Sequence, residues 1–363
     1  MTIFYRNILA FISLTVVCAC STPQKLLVDY SNSEIAYTGR IDSSKVKGVD
    51  LYWSGTTIKV NFEGQAISAL LGDDKGDNYY NVSIDKGPLF ILRPDTTKRY
   101  YPLASKLTKG KHTLEIFKRT EWDRGTTTFY GFQMEGDSKL LPKSLPNDRK
   151  IEFYGNSITA GYAVEDTSGR DSPDSTYTNN YLSYAAITAR HFNSDYHCIC
   201  RSGIGITVSW FPLIMPEMYD RLDPSNPNSK WDFSAYSPDI VVVNLLQNDS
   251  WLTNMPDSDE FKRRFGTEAP DEAFIINAYQ QFVGNIRKHY PKANIICSLG
   301  CMDATKEGSK WMEYIQTAVT NLNDKKMYTH FMPYIAAAAH PSIKDQEVMA
   351  KSLIEFIEKN IDW

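Results

Sequence analysis

The hydrophobic period changes once along this chain, near residue 150, and that change limits the fold more than any other feature. Residues 25–140 alternate apolar and polar with a period of two. TIKVNFEG (57–64), AISALLG, YYNVSIDKG, LFILRP, HTLEIFKRTE and TTTFYGFQMEG read as strands. Turn material separates them at Glu63-Gly64, Asp73-Asp74-Lys75-Gly76, Asp85-Lys86-Gly87 and Lys109-Gly110-Lys111. Short strands at this spacing, with no helical pattern between them, predict an all-β sandwich or jelly roll.

A Pro-bearing linker, 141–149, ends that half. From residue 150 onward, strand-like runs alternate with helical ones. KIEFYG (150–155), YHCICRS (196–202), DIVVVNLLQ (239–247), NIICSLG (294–300) and YTHFMPY (328–334) are the strands. NNYLSYAAITARHF, DEAFIINAYQQFVGNIRKHY and KWMEYIQTAVTNL carry apolar residues at helical spacing, and a last helix opens at Ser342 as N-cap. Strands apolar on both faces and separated by helices predict an α/β domain over 150–363, its parallel sheet flanked by helices.

The N-terminus reads as a targeting segment. Arg6 precedes the apolar run 8–19, too short to span a bilayer, which ends in Val17-Cys18-Ala19-Cys20-Ser21. Small residues before a cysteine at this depth predict a lipoprotein-type signal over 1–20, with Cys20 lipidated. An exported protein anchored to a membrane surface follows. A plain signal peptide is the alternative. Cys198, Cys200, Cys297 and Cys301 have no matching His pattern for zinc and read as buried free thiols. A net charge of −4 without a basic stripe argues against a nucleic-acid partner.

Open α/β sheets bind ligands beyond the carboxyl ends of their strands. Gly155-Asn156-Ser157 follows the first strand here, Ser202-Gly203-Ile204-Gly205 the second, and Gln247-Asn248-Asp249 the third. His340 precedes the final helix. A serine, a glycine turn, an amide and an imidazole are the parts of acyl transfer. The imidazole activates the hydroxyl, while N–H groups hold the oxyanion. Taken singly, Ser157 reads as a turn residue and His340 as a helix-entry residue; their placement at matching strand ends favours chemistry. No GxSxG occurs, which argues against an α/β-hydrolase nucleophile elbow.

GNSIT (155–159), SGIG (202–205), QND (247–249) and HPS (340–342) resemble the four blocks of the GDSL, or SGNH, hydrolases. TGRID (38–42), YWSGTTIKVNFEG (52–64), VSIDKG (82–87), KGKHTLEIFKRTE (109–121) and YGFQMEG (130–136) resemble the jelly roll of carbohydrate esterase family two. The resemblance implies a jelly roll joined to an SGNH-hydrolase domain. It also implies an esterase that removes acetyl groups from plant polysaccharides such as mannans and xylans, with no metal or other cofactor. Ser157 matches the nucleophile and one oxyanion donor through its own N–H, Gly203 the second donor with Gly205 as the alternative, Asn248 the third, and His340 the base.

Three positions depart from the pattern. Asn156 stands where the family has Asp, and Leu246 where it has Gly, which predicts a reshaped pocket floor together with Trp251. Ala337 stands where superfamily members often place the Asp that orients the base. A backbone carbonyl, or distant Asp249 or Asp303, remains to fix the imidazole tautomer. Trp251 and Trp210 are candidate sugar platforms or core aromatics. Trp53 reads as jelly-roll core, and the other five histidines as structural. Three functions follow from one site: a carbohydrate O-acetylesterase, a lipase- or thioesterase-like hydrolase, or a non-catalytic glycan-binding protein.

Overall fold

The computed structural model describes residues 25–44, 47–336 and 339–363; the expected signal segment, Cys20 and Ala337 lie outside them. The front half is an antiparallel sandwich of β1 (Lys25–Asp29), β2 (Ile35–Thr38), β3 (Ile41–Asp42), β4 (Val49–Leu51), β5 (Thr57–Glu63), β6 (Ile67–Asp73), β7 (Tyr80–Ile84), β8 (Phe90–Leu92), β9 (Arg99–Ala104), β10 (Lys111–Lys118), β11 (Thr127–Glu135) and β12 (Lys139–Leu141). One sheet runs β3-β4-β11-β6-β9 with β1 also on β11. The other runs β12-β5-β10-β7-β8 with β2 also on β5. The alternation seen in sequence is the alternation of burial. In β6 every second residue, from Ile67 to Asp73, faces the interior, where Val60, Phe62, Leu114, Ile116, Phe129 and Phe132 form the core.

The back half is a five-stranded parallel sheet of β13 (Lys150–Gly155), β14 (Asp195–Cys200), β15 (Ile240–Asn244), β16 (Asn294–Leu299) and β17 (Met327–Phe331), in the order β14-β13-β15-β16-β17. Helices α1 (Ser157–Ala160), α2 (Tyr184–His191), α3 (Met215–Met218), α4 (Gln247–Leu252), α5 (Asp259–Phe265), α6 (Glu272–His289), α7 (Trp311–Leu322) and α8 (Ile343–Asn360) connect and cover it. β15 is Ile-Val-Val-Val-Asn with every residue buried, the pattern of a strand packed on both faces. Helices α6 and α7 lie with one core cluster, and α2 and α8 with another. Ser342 caps α8 as expected, its hydroxyl and the Asp345 carboxylate forming a reciprocal box.

The two halves share a buried interface, and Trp53 belongs to it rather than to the jelly-roll core. Its side chain packs with residues of the parallel-sheet domain, and Nε1 donates to Leu222 O at 2.9 Å. Beside it, Arg40 of the sandwich is fully buried. It donates to Tyr219 O at 2.6 Å and Tyr154 Oη at 3.1 Å and meets Glu152 at 3.4 Å. Glu152 sits mid-strand in β13, where a charge is otherwise costly. Burial pushes its carboxyl up, but Arg40 and His197 more than reverse this and hold it down at about 2.

Candidate active site

The end of β13 sets the position of Ser157. Gly155 is required there, because a Cβ would lie 2.0 Å from Thr159 Oγ1. Asn156, in extended conformation, caps α1 by accepting from Ile158 N–H at 3.0 Å. The Asp-to-Asn departure therefore leaves a working cap. Ser157 is the first residue of α1, so its N–H has no intrahelical partner.

His340, 183 residues further on, places Nε2 2.8 Å from Ser157 Oγ. Tyr162 packs edge-on against the imidazole at a centroid distance of 4.9 Å. The carboxylate that faces His340 is Asp171. Its Oδ1 accepts the backbone N–H of His340 at 2.8 Å, and its Oδ2 lies 2.9 Å from Nδ1. That second approach is off the line of the ring N–H, so it is a close polar contact without hydrogen-bond geometry. The His340 contact holds the Asp171 carboxyl below its ordinary value against the opposing effect of burial.

The two distant carboxylates named from sequence are engaged elsewhere. Asp249 is buried and accepts from the backbone N–H groups of Ile206, Thr207 and Val208 and from Thr207 Oγ1, which ties α4 to the loop after β14. Asp303 Oδ2 accepts from Trp251 Nε1 at 3.2 Å. Asp171 went unnoticed because it lies in a polar stretch, GRDSPDS, that reads as ordinary turn material. Its one unusual feature is a φ of +54°, a left-handed conformation that Asp tolerates better than most residues and that sequence does not display.

The loop after β14 presents the candidate oxyanion donors. Ile204 N–H closes a turn onto Arg201 O at 3.3 Å, with Gly203 at its third position and φ +81°. Left-handed backbone there is the signature of a type II turn. Gly205 N–H donates to Ser209 Oγ at 2.9 Å, whereas Gly203 N–H has no partner among the described residues. Gly203, not Gly205, therefore has a donor to offer. The Asn248 amide is fixed in orientation. Trp210 Nε1, which can only donate, reaches Oδ1 at 3.1 Å, and Nδ2 donates to Ile204 O at 2.8 Å, keeping one N–H free.

Leu246 does not shape the pocket floor. It is fully buried in the core with φ +81°, occupying with a bulky side chain the backbone conformation for which glycine is suited. Trp210 is half exposed, and its backbone N–H also donates to Gly203 O at 3.0 Å, so it braces the loop as well as presenting a flat face. Trp251, on the helix that carries Asn248, lines an open groove of 380 Å3 with Asn254, Asp303, Lys310, Trp311 and Tyr314. Among the described residues no group of three or more His, Cys, Asp or Glu is placed to hold a metal ion, and the four described cysteines are buried and free.

A parallel sheet that offers Ser, Gly, Asn and His from separate loops at one edge defines a serine hydrolase of the SGNH type. Family comparison is consistent with that class: the model for the N-terminal domain of carbohydrate esterase 2 matches residues 37–143, and that for the GDSL-like lipase/acylhydrolase family matches 153–328. The cellulase/esterase CelE of Acetivibrio thermocellus is 34% identical over 346 residues, 92% of this chain; the chain spans 40% of that relative's length. An acetylxylan esterase / glucomannan deacetylase of Cellvibrio japonicus is 24% identical, with 95% of each chain covered. The solved structure of a family two carbohydrate esterase from Clostridium thermocellum, in complex with cellohexaose, is 34% identical and superposes with a TM-score of 0.80. That match covers 90% of this chain and 98% of that one. The chain belongs to carbohydrate esterase family two.

Proposed function

We propose that the protein is a carbohydrate O-acetylesterase in which Ser157, His340 and Asp171 act as nucleophile, base and orienting carboxylate. The observation that carries this reading is the 2.8 Å contact from His340 Nε2 to Ser157 Oγ, with Asp171 against the opposite side of the ring. His340 accepts the Ser157 proton as Oγ attacks the acetyl carbonyl carbon. The oxyanion that forms is held by the N–H groups of Ser157 and Gly203 and by Asn248 Nδ2. His340 then returns the proton to the departing sugar hydroxyl, leaving acetyl-Ser157. Water, deprotonated by His340, attacks the acetyl group, and acetate leaves with Ser157 restored.

The substrate side of the reading is an acetylated polysaccharide or oligosaccharide. The relative solved with cellohexaose supports a glycan in the cleft, and the polar groove beside Trp251 offers an aromatic face to a pyranose ring. Trp210 and Trp251 are assigned to this contact. A lipase-like activity would call for an apolar acyl channel at Ser157, and acyl-length preference separates it from an acetylesterase. Two features favoured a non-catalytic glycan binder, the lack of a local carboxylate and Leu246, and the contact of Asp171 with His340 answers the first. Cys20 is the proposed lipidation site, which makes the protein an exported, membrane-anchored enzyme.

The test is acetate release from acetylated glucomannan and acetylated xylan, run beside aryl esters of increasing acyl length. Release from a polysaccharide with a sharp fall from acetate to octanoate supports the reading. A preference for octanoate contradicts it. Metabolic palmitate labelling abolished by Cys20→Ser would support the anchor, and unchanged labelling would exclude it.

A further inference from the structure

The segment Lys118–Arg124, between β10 and β11 of the sandwich, carries a buried carboxylate with no role in the mechanism above. Glu121 is 1% exposed. Its oxygens accept the backbone N–H of Ser202 in a close contact and Ser202 Oγ–H at 2.6 Å, and no other hydrogen-bond donor meets them among the described residues. Ser202 occupies the second position of the turn whose third position is Gly203. The peptide joining those two residues is the one that reverses when a type II turn converts to type I. Its N–H is that of Gly203, so its orientation decides whether the oxyanion donor faces Ser157.

Resting on the acetylesterase reading, we propose that Glu121 is a positioning residue: through it the β-sandwich anchors Ser202, the corner of the turn from which the Ser202–Gly203 peptide projects, and so positions the Gly203 N–H for the oxyanion site. Two side-chain bonds from one rigid carboxylate set both the backbone N–H and the χ1 of Ser202. Glu121 is itself held, since the fully buried Lys118 ammonium donates to Thr120 O at 3.0 Å and Glu121 O at 3.2 Å. Neighbouring Trp122 receives the Arg201 guanidinium over its ring at 4.8 Å, a second tie between this segment and the loop after β14. Burial and nearby Asp123 push the Glu121 carboxyl up to about 7, so the fold retains this group against a desolvation cost. The sandwich is thus part of the catalytic device.

The test uses the full-length protein in detergent, aryl acetate as substrate, and phenylboronic acid as a probe that forms a tetrahedral adduct on Ser157. Glu121→Ala is expected to lower kcat about 10- to 100-fold and to raise the boronate inhibition constant in parallel, with KM little changed. A lower fraction of folded protein would reduce kcat without moving that constant. Glu121→Gln is expected within about fivefold of wild type, because its amide can accept from Ser202 N–H and donate to Ser202 Oγ. Should the Ala variant fail to fold, Ser202→Ala carries the test, with a parallel change of about three- to tenfold from losing one of the two bonds. An active wild type whose variants keep their boronate affinity overturns the proposal alone. A wild type that neither hydrolyses the ester nor binds boronate overturns the acetylesterase reading along with it.

Discussion

Asp171 grips His340 at two points, its Oδ1 on the backbone N–H and its Oδ2 2.9 Å from ring Nδ1, across 169 residues of sequence. The first contact fixes where the residue sits, and the second sets a carboxylate beside Nδ1, which favours the proton on that nitrogen and leaves Nε2 to accept. Asp171→Ala is predicted to lower kcat about 100-fold, less than for a fully buried triad carboxylate because this one is partly exposed. Asp171→Asn is predicted to fall at least as far. An amide N–H aimed at Nδ1 favours the tautomer whose Nε2 cannot accept the Ser157 proton. Steady-state kinetics on an aryl acetate compare the two.

The Asn248 amide is oriented by Trp210. Asn248→Ala is predicted to cost about 10²- to 10³-fold in kcat, the usual loss for one oxyanion donor. Trp210→Phe keeps the ring but removes the donor that holds Oδ1, and is predicted to cost about tenfold in kcat, since the amide can then turn over. An effect of Trp210→Phe confined to KM for polysaccharide would mean that the ring acts on the sugar alone.

The interface pair Arg40–Glu152 is predicted to be a main support of the two-domain arrangement. Arg40→Ala leaves a buried carboxylate without its cation and is expected to destabilise the protein by about 3–5 kcal/mol, read by denaturant unfolding. The folded-state pKa of Glu152 lies below its unfolded value. Its contribution is therefore present above the unfolded value and is lost as the pH falls from about 5 toward 2. Stability of the wild type should decline across that window, and Glu152→Gln should flatten the decline.

Leu246 stores strain in a left-handed backbone while filling the core. Leu246→Gly relieves about 1–2 kcal/mol of backbone cost but vacates a buried Leu site whose loss typically costs about 2–5 kcal/mol. The predicted outcome is a net destabilisation of about 1–3 kcal/mol, with kcat within about threefold of wild type. A large change in substrate preference would contradict the position given to Leu246 here.

The sequence showed what periodicity can encode. The switch from period two to strand–helix alternation marked both domains, and burial in β6 and β15 follows it residue by residue. The candidate residues Ser157, Gly203, Asn248 and His340 could be named from sequence because each follows a recognisable strand or precedes a helix. Asp171 and Glu121 were not, because their partners lie 169 and 81 residues away and neither sits in a periodic element. The Trp53 expectation failed because alternation says which face of a strand is buried, not which domain buries it. The Leu246 expectation failed because a departure from a motif shows that the backbone has changed tenant, and not where the new side chain points.

The most direct test of the central claim is hydrolysis of 4-nitrophenyl acetate by the wild type, Ser157→Ala and His340→Ala, each checked for folding. The account predicts turnover in the wild type and its loss by at least about 10³-fold in both variants. Equal rates in all three folded proteins would contradict it and leave the 2.8 Å Ser157–His340 contact without a chemical role.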